Sequence, residues 1–504
     1  MFILSLVYFL ILQFSTFNFV GYDSYYHVKL AHIYHTHGLI KEFPWMQFTI
    51  FKDNFADEQF LFHLLLVPFT FGNLIFNGKI AIVIFTSLLI TVFYWFLKKN
   101  RIAWPAIWVI VLLTSQRFIV RTNMVRPISL SVMFFILGIY FILSKKYSWL
   151  FLVSFIYSLI HASFFTLTIF VIIYALLTYV KKRNFDYKLL LFNLMGLFLG
   201  LLVNPYFPKT VKTLYLVYLK GIFYKVPLSI PILEWMPMSL PLFFKENYLP
   251  IILFFFSLFI LIKNGDFSKK GFMSDKKYYS ILFLLTSLIF LVLTIISYRF
   301  VVYWVITAVI FCAFSLNNYV KIIINNLNLF LSIKKPFLTK TKYDLKKSVL
   351  LIFILVIIFL FCFSFYSHIQ RLSMWNNLNN YYDCSDWIKN NVPKDTNIFI
   401  MTWSQFAPLF FFDDNHRYIF GLDEYKMYFY DEELYFKYVG LTRGIITEPD
   451  MIKTIIRKDF NSSYIFLDEQ DCMFKQTSFY SLVKKTNNFK KEYENEYCSV
   501  YSIK

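Results

Sequence analysis

Apolar runs near twenty residues long recur through residues 1–366 of this 504-residue chain, with lysines and arginines gathered in short clusters between them. About 20 apolar residues in a helix cover the roughly 30 Å of a bilayer's hydrocarbon, so a chain built this way has few folds open to it. With 58% hydrophobic and 22% aromatic residues it is too apolar for a soluble multidomain protein. A polytopic α-helical membrane protein is expected. In a soluble domain the net charge of +20 would suggest nucleic acid, but here the basic residues sit where they set topology.

The basic clusters count the crossings. Spans are expected near residues 2–20, 79–97, 102–117 and 128–143, two more within 149–180, and others near 187–203, 249–263, 279–296, 300–317 and 348–366. Lys98-Lys99, Lys145-Lys146, Lys181-Lys182-Arg183 and the lysines of 263–277 and 318–347 then fall on one side. That arrangement gives about 11 transmembrane helices, with a cytoplasmic N-terminus and an external C-terminus. It treats residues 63–72, short and holding Pro68 and Gly72, as an interfacial helix. Residues 1–20 lack a basic n-region and a cleavage site, so they read as an uncleaved first helix.

Between that helix and the next span lies the richest chemistry. Residues 21–68 hold Asp23, Asp57 and Glu58 with His27, His32, His35, His37 and His63, five of the eight histidines. Charge set against a bilayer is costly unless something uses it, which makes the first external loop, residues 21–62, a candidate reaction site. Each residue also has a plainer reading. Asp23 is a suitable helix N-cap, Asp57 and Glu58 suit a solvated first turn, and His27, His32, His35 and His37, which would suggest zinc with His32 and His35 on one helix face, read more simply as interfacial or donor-contacting histidines. Arg117, Arg121, Arg126 and Arg299 fall near outer ends of spans, where they either grip an anion or snorkel to headgroups. His161 sits at the turn of the 149–180 hairpin.

Past residue 366 the composition turns acidic, and short alternating runs replace the spans. IFIM at 398–401, RYIFG at 417–421, SYIFLD at 463–468 and CSVYSI at 498–503 read as strands, and 387–391 and 448–458 as helices. A domain boundary is expected there, with 1–366 in the membrane and 367–504 an extracytoplasmic α/β domain. Cys384, Cys472 and Cys498 allow one disulfide in three connectivities.

An early Asp in the first external loop, a second acidic pair in that loop, many spans and an external α/β tail together resemble the GT-C superfamily of membrane glycosyltransferases. The DSYYH run from Asp23 is similar to the first loop of the oligosaccharyltransferase catalytic subunit, and Asp57-Glu58 to the DE pair of protein mannosyltransferases. NPYFP at 204–208, EWMP at 234–237 and GLDEYKMY at 421–428 resemble membrane proteins of the same superfamily. The chain departs from oligosaccharyltransferases where they carry WWDYG. Here IFIM runs into Thr402-Trp403-Ser404-Gln405-Phe406 with no acid, and no second-loop DxD is found. Transfer to an Asn-x-Ser/Thr sequon is therefore not expected.

The resemblance implies a sugar or glycan passing from a polyprenyl-phosphate donor to an acceptor outside the membrane. Such a reaction needs a carboxylate near the acceptor and positive charge on the leaving phosphate. Asp23, Asp57 and Glu58 are the expected catalytic acids, with Asp23 and Asp57 as ligands for Mg or Mn. Arg299, Arg126, Arg121 and His27 are expected on the donor phosphate, and Glu234, Trp235 and Trp403 on the acceptor side. The rival reading is a non-catalytic transporter or flippase of envelope glycolipids, disfavoured because span interiors carry almost no charge. A glycan polymerase is a third.

Overall fold

The computed structural model describes residues 1–220, 234, 236–263, 275–332, 342–375, 381–470, 475 and 477–504. Its first part is a helical bundle, as expected of an integral membrane protein. Four helices are long and apolar enough to cross a membrane, within Leu74–Lys99, Ala162–Lys182, Lys277–Ile296 and Tyr298–Ile322, and up to six if each of two bent pairs is one span. The bent pairs are Gln116–Asn123 with Ile128–Leu143, at 113°, and Leu240–Glu246 with Tyr248–Lys263, at 95°. Shorter apolar helices, Phe2–Gln13, Phe60–Phe69, Tyr147–Ile160 and Tyr187–Val203, and the helices Pro105–Leu113 and Lys342–Ser373 join them.

Burial sorts these helices. Val301 to Ala313 are buried on every side, so this apolar stretch is the bundle's centre. Phe198, Phe255, Phe259 and Val292 instead turn apolar side chains outward, as a lipid-facing surface requires. Gly196 and Gly200, one turn apart, lie against the backbone of Phe151 and Phe155, where any side chain would collide.

Two expected spans are shorter than their apolar runs, and that near 102–117 is only the helix Pro105–Leu113. The first helix stops at Gln13 rather than residue 20. Ser15 donates to the Leu12 carbonyl (2.7 Å) and Thr16 to that of Asn18 (2.7 Å), and these side-chain bonds compete with helix continuation. Lys79 then donates to the Thr16 carbonyl at 2.6 Å, holding the unwound segment against the next helix.

The tail forms a five-stranded mixed sheet, β1 (Asn397–Ile400), β2 (Arg417–Tyr418), β3 (Ser462–Asp468), β4 (Phe489–Glu494) and β5 (Cys498–Ile503), in the order β2-β1-β3-β5-β4. β1 runs parallel to both neighbours, whereas β3 with β5 and β4 with β5 are antiparallel. β4 was not expected, because a one-neighbour edge strand with a wet face spells FKKEYE rather than an apolar run. Cys384 and Cys498, both fully buried, form a disulfide, which selects one of the three connectivities. Cys472 lies outside the described residues.

The loop that follows the first helix belongs to this sheet. Tyr418 N–H donates to the Trp45 carbonyl (2.9 Å), Phe48 N–H to that of Ile419 (3.0 Å) and Ile50 N–H to that of Lys426 (3.0 Å), with Met46 and Tyr418 bridged in parallel. Residues 45–50 thus extend the sheet beyond β2. One aromatic core joins the two regions, with Phe43 packed on Phe55, Phe406 and Phe410. At one end of it Lys29 pairs with Asp414 at 3.0 Å.

Candidate active site

Asp23 opens the helix Asp23–His37, but it is not the cap: Tyr22 occupies that position and no side-chain cap bond is made. Its carboxylate is therefore available. Ser24, the next residue, donates to the Val20 carbonyl (2.6 Å) and accepts from Val125 N–H (2.9 Å), pinning the 124–126 link beside the helix start. That link is the 113° bend after Gln116–Asn123, and it brings Arg126 to Asp23 at 3.2 Å. The other guanidinium nitrogen of Arg126 bonds Glu234 at 2.7 Å, and Arg121 reaches the same oxygen at 3.1 Å. Arg299 contributes its backbone, its N–H donating to the Glu234 carbonyl at 3.1 Å, alongside the Ser297 hydroxyl at 3.0 Å.

The electrostatics differ at the two acids. Burial acts to raise Glu234, but Arg121, Arg126 and Arg299 overcome it and hold the carboxyl well below the usual range. Asp23 goes the other way. Burial raises it, and the pull of Arg126 and Lys426 does not cancel this against Glu234 and Asp423. Below the arginines, the hydroxyls of Tyr303 and Ser131 meet at 2.6 Å, and His161 bonds Ser131 at 3.0 Å.

Asp57 stands in a second, drier arrangement. One of its oxygens accepts from Tyr34 (2.9 Å) and His63 Nδ1 (2.7 Å), and the other from the Gln59 N–H (2.9 Å). His63 Nε2 in turn lies 2.8 Å from His27 Nδ1, and the two rings stack with centroids 5.0 Å apart. All three side chains are buried. The expected metal pair, Asp23 with Asp57, does not fit a divalent cation: Asp57 is taken up by hydrogen-bond donors and Asp23 faces a guanidinium. Among the described residues no group of three or more His, Cys, Asp or Glu is placed to hold a metal.

The tail adds groups that the sequence did not assign. Lys426 forms an ion pair with Asp423, and although burial opposes its charge, Asp423, Glu58 and Asp23 hold its ammonium above the ordinary range. GLDEYKMY thus stands over the first loop. Its neighbourhood was unreadable locally, because the contact depends on pairing residues 45–50 with β2, nearly the whole chain away.

The remaining expected residues scatter. Glu234, expected on the acceptor side, lies on the arginines instead. Trp403 packs on the core shared by loop and tail, at the start of the helix Trp403–Phe412, while Trp235 lies outside the described residues. Arg117 is spent elsewhere, forked onto Glu246 at 2.7 and 2.8 Å. Next to the residues following Glu234 and preceding Ser297, an apolar groove of about 180 Å³ is lined by Met238, Phe243, Phe254, Thr294, Ile295 and Trp304.

A helical bundle joined through the loop after its first helix to a small α/β tail is an architecture found in known membrane proteins. Solved structures bear this out. The Archaeoglobus fulgidus oligosaccharyltransferase in its apo form matches 96% of this chain and 70% of its own at TM-score 0.62 and 12% identity. The same organism's AglB, in complex with an inhibitory peptide and a dolichol-phosphate, matches 99% of this chain and 74% of its own (TM-score 0.56, 11% identity). ArnT from Cupriavidus metallidurans, bound to undecaprenyl phosphate, matches 99% of this chain and 97% of its own (TM-score 0.55, 11% identity). No protein-family model and no curated protein matches. The fold is shared with these enzymes.

Proposed function

We propose that this chain is a glycosyltransferase that moves a sugar or glycan from a polyprenyl-phosphate donor to an acceptor on the extracytoplasmic face, with about 11 spans and a cytoplasmic N-terminus. The observation that carries the reading is the cluster of Arg121, Arg126, Glu234 and Asp23 at the rim of the bundle, beside an apolar groove. An isoprenoid tail suits the groove and its phosphate the guanidiniums, which offer paired donors to an anion. Arg121 Nε is buried and donates to nothing among the described residues.

In the reaction the bond from the sugar's anomeric carbon to the phosphate oxygen breaks, and its electron pair stays on the phosphate. Arg121, Arg126 and Arg299 take up that growing negative charge. A hydroxyl or amide of the acceptor forms the new bond at the anomeric carbon, held by the partly exposed Asp23 carboxylate. Lys426 and Glu58 border the acceptor's approach from the tail side. With charge neutralised in this way, dialysis against EDTA should leave transfer unchanged; its loss would restore Mg or Mn to the site.

Asp23→Ala should still insert and fold while lipid-linked donor accumulates in membranes, read by mass spectrometry against a deletion strain. Near-normal donor consumption by that variant would remove Asp23 from the mechanism. Donor trapped only in the inner leaflet of the deletion strain would instead identify a flippase.

A further inference from the structure

The chain Asp57–His63–His27 is not needed to bind a phosphate, yet it ends at the site. His27 is one helical turn beyond Asp23, so both share a face of the helix Asp23–His37. Its ring is fixed by Phe62 and Tyr26, edge-on at 5.5 and 5.3 Å, and stacked on His63. Among the described residues His27 Nδ1 has His63 as its partner, while Nε2 has none and is not sealed from solvent.

Hydrogen positions follow from what each partner accepts. A carboxylate only accepts, so His63 Nδ1 carries the hydrogen toward Asp57, and a neutral His63 presents a bare Nε2. His27 Nδ1 must then donate to it, which leaves the lone pair of His27 on Nε2, the nitrogen without a partner among the described residues. A lone pair there suits a proton leaving an acceptor and not a phosphate oxygen, which wants an N–H. His27 was expected on the donor phosphate; this geometry gives it the opposite task.

We propose that His27 is the base that removes the acceptor's proton, and that His63 and Asp57 are positioning residues that set its tautomer and receive the charge. The proposal rests on the glycosyl-transfer reading. As the acceptor oxygen or nitrogen bonds to the anomeric carbon, its proton passes to His27 Nε2. The Nδ1 proton of His27 moves to His63 Nε2, and the positive charge comes to rest on His63 beside the Asp57 carboxylate. The electron pair of the broken bond stays on the phosphate, so no other reactant is required. Burial, with His63, Arg126 and His161 around it, keeps His27 well below the ordinary histidine range, so it waits unprotonated. The Asp57 carboxylate lies beyond His63, bonded to its Nδ1.

Two measurements test this. Undecaprenyl phosphate added to purified protein reads anion binding as a thermal shift, and isolated membranes of a complemented deletion strain read consumption of lipid-linked sugar against pH. His27→Gln, whose amide can still donate to His63, should keep the thermal shift and consume donor about 100-fold more slowly. Asp57→Asn should keep the shift and move the acid limb of the pH profile to lower pH, because a base without its carboxylate holds a proton less tightly. Wild-type consumption by His27→Gln, loss of its thermal shift, or an unmoved limb in Asp57→Asn would each overturn the relay while leaving glycosyl transfer standing. A wild-type protein that neither shifts with undecaprenyl phosphate nor consumes donor would overturn the wider reading.

Discussion

Two arginine–glutamate contacts leave the same short helix, Gln116–Asn123, and come to different ends. Arg117 forks onto Glu246, lies 4.1 Å over the ring of Tyr298, and shares Glu246 with the Tyr298 hydroxyl at 2.8 Å. Glu246 is left only 3% exposed. Arg121 and Arg126 converge on Glu234, but Arg126 also reaches out to Asp23, and Arg126, Glu234 and Asp23 keep 21%, 25% and 22% of their side-chain surface. The first pair is closed, with both carboxylate oxygens of Glu246 taken by Arg117 and the Tyr298 hydroxyl. The second is open: two guanidiniums face two carboxylates across a surface that stays reachable, and an incoming phosphate can compete for the arginines. Pairing alone does not mark a site; reachable charge does.

The largest expected difference is in transfer. Arg126→Met should lower donor consumption by roughly 10²–10³, the usual cost of removing one group that meets developing charge. Arg126→Lys should recover part of it, since an ammonium supplies charge without the planar fork that spans Asp23 and Glu234. Wild-type consumption by Arg126→Met would make the open cluster as structural as the closed one.

The closed pair should answer in stability instead. Arg117→Met leaves Glu246 buried without its cation and should cost about 2 kcal/mol, below the value for a fully buried pair because Arg117 keeps 15% of its surface. Replacing both, as Arg117→Met with Glu246→Leu, should restore most of that, and donor consumption per folded molecule should stay at the wild-type level in either variant. Thermal unfolding in detergent measures the first claim. A transfer defect in the double variant that exceeds its loss of folded protein would erase the distinction between the pairs.

The contrast also explains what could be read from the sequence. Asp23 and the outer arginines were legible because ionisable residues in apolar surroundings are few and need a reason to be there. The sheet was legible for the same reason in reverse, as IFIM and SYIFLD stand out from a polar tail. The relay was not. His63 sits in FLFHLLL, where an interfacial histidine is the ordinary reading, and nothing local says that it meets His27 across 36 residues. Lys426 and Asp423 stayed hidden because they depend on the strand pairing of residues 45–50, and the proline and mixed polarity of PWMQFTIF show no period of two.

The smallest effect is the one that most sharpens the open cluster. Glu234 holds the arginines where a phosphate would sit, so it organises them and competes with the ligand at once. Glu234→Gln keeps the shape and backbone, including the carbonyl that binds Arg299 and Ser297, and removes only the competing charge. If competition dominates, undecaprenyl phosphate should bind up to about fivefold more tightly, corresponding to about 1 kcal/mol for a partly exposed ion pair. Transfer should not rise with it, because tighter binding of both the donor and the departing phosphate does not lower the barrier between them. Weaker binding by Glu234→Gln would mean that the carboxylate's ordering of Arg121 and Arg126 outweighs its competition, and that the open cluster is held as firmly by its acid as the closed pair is by Glu246.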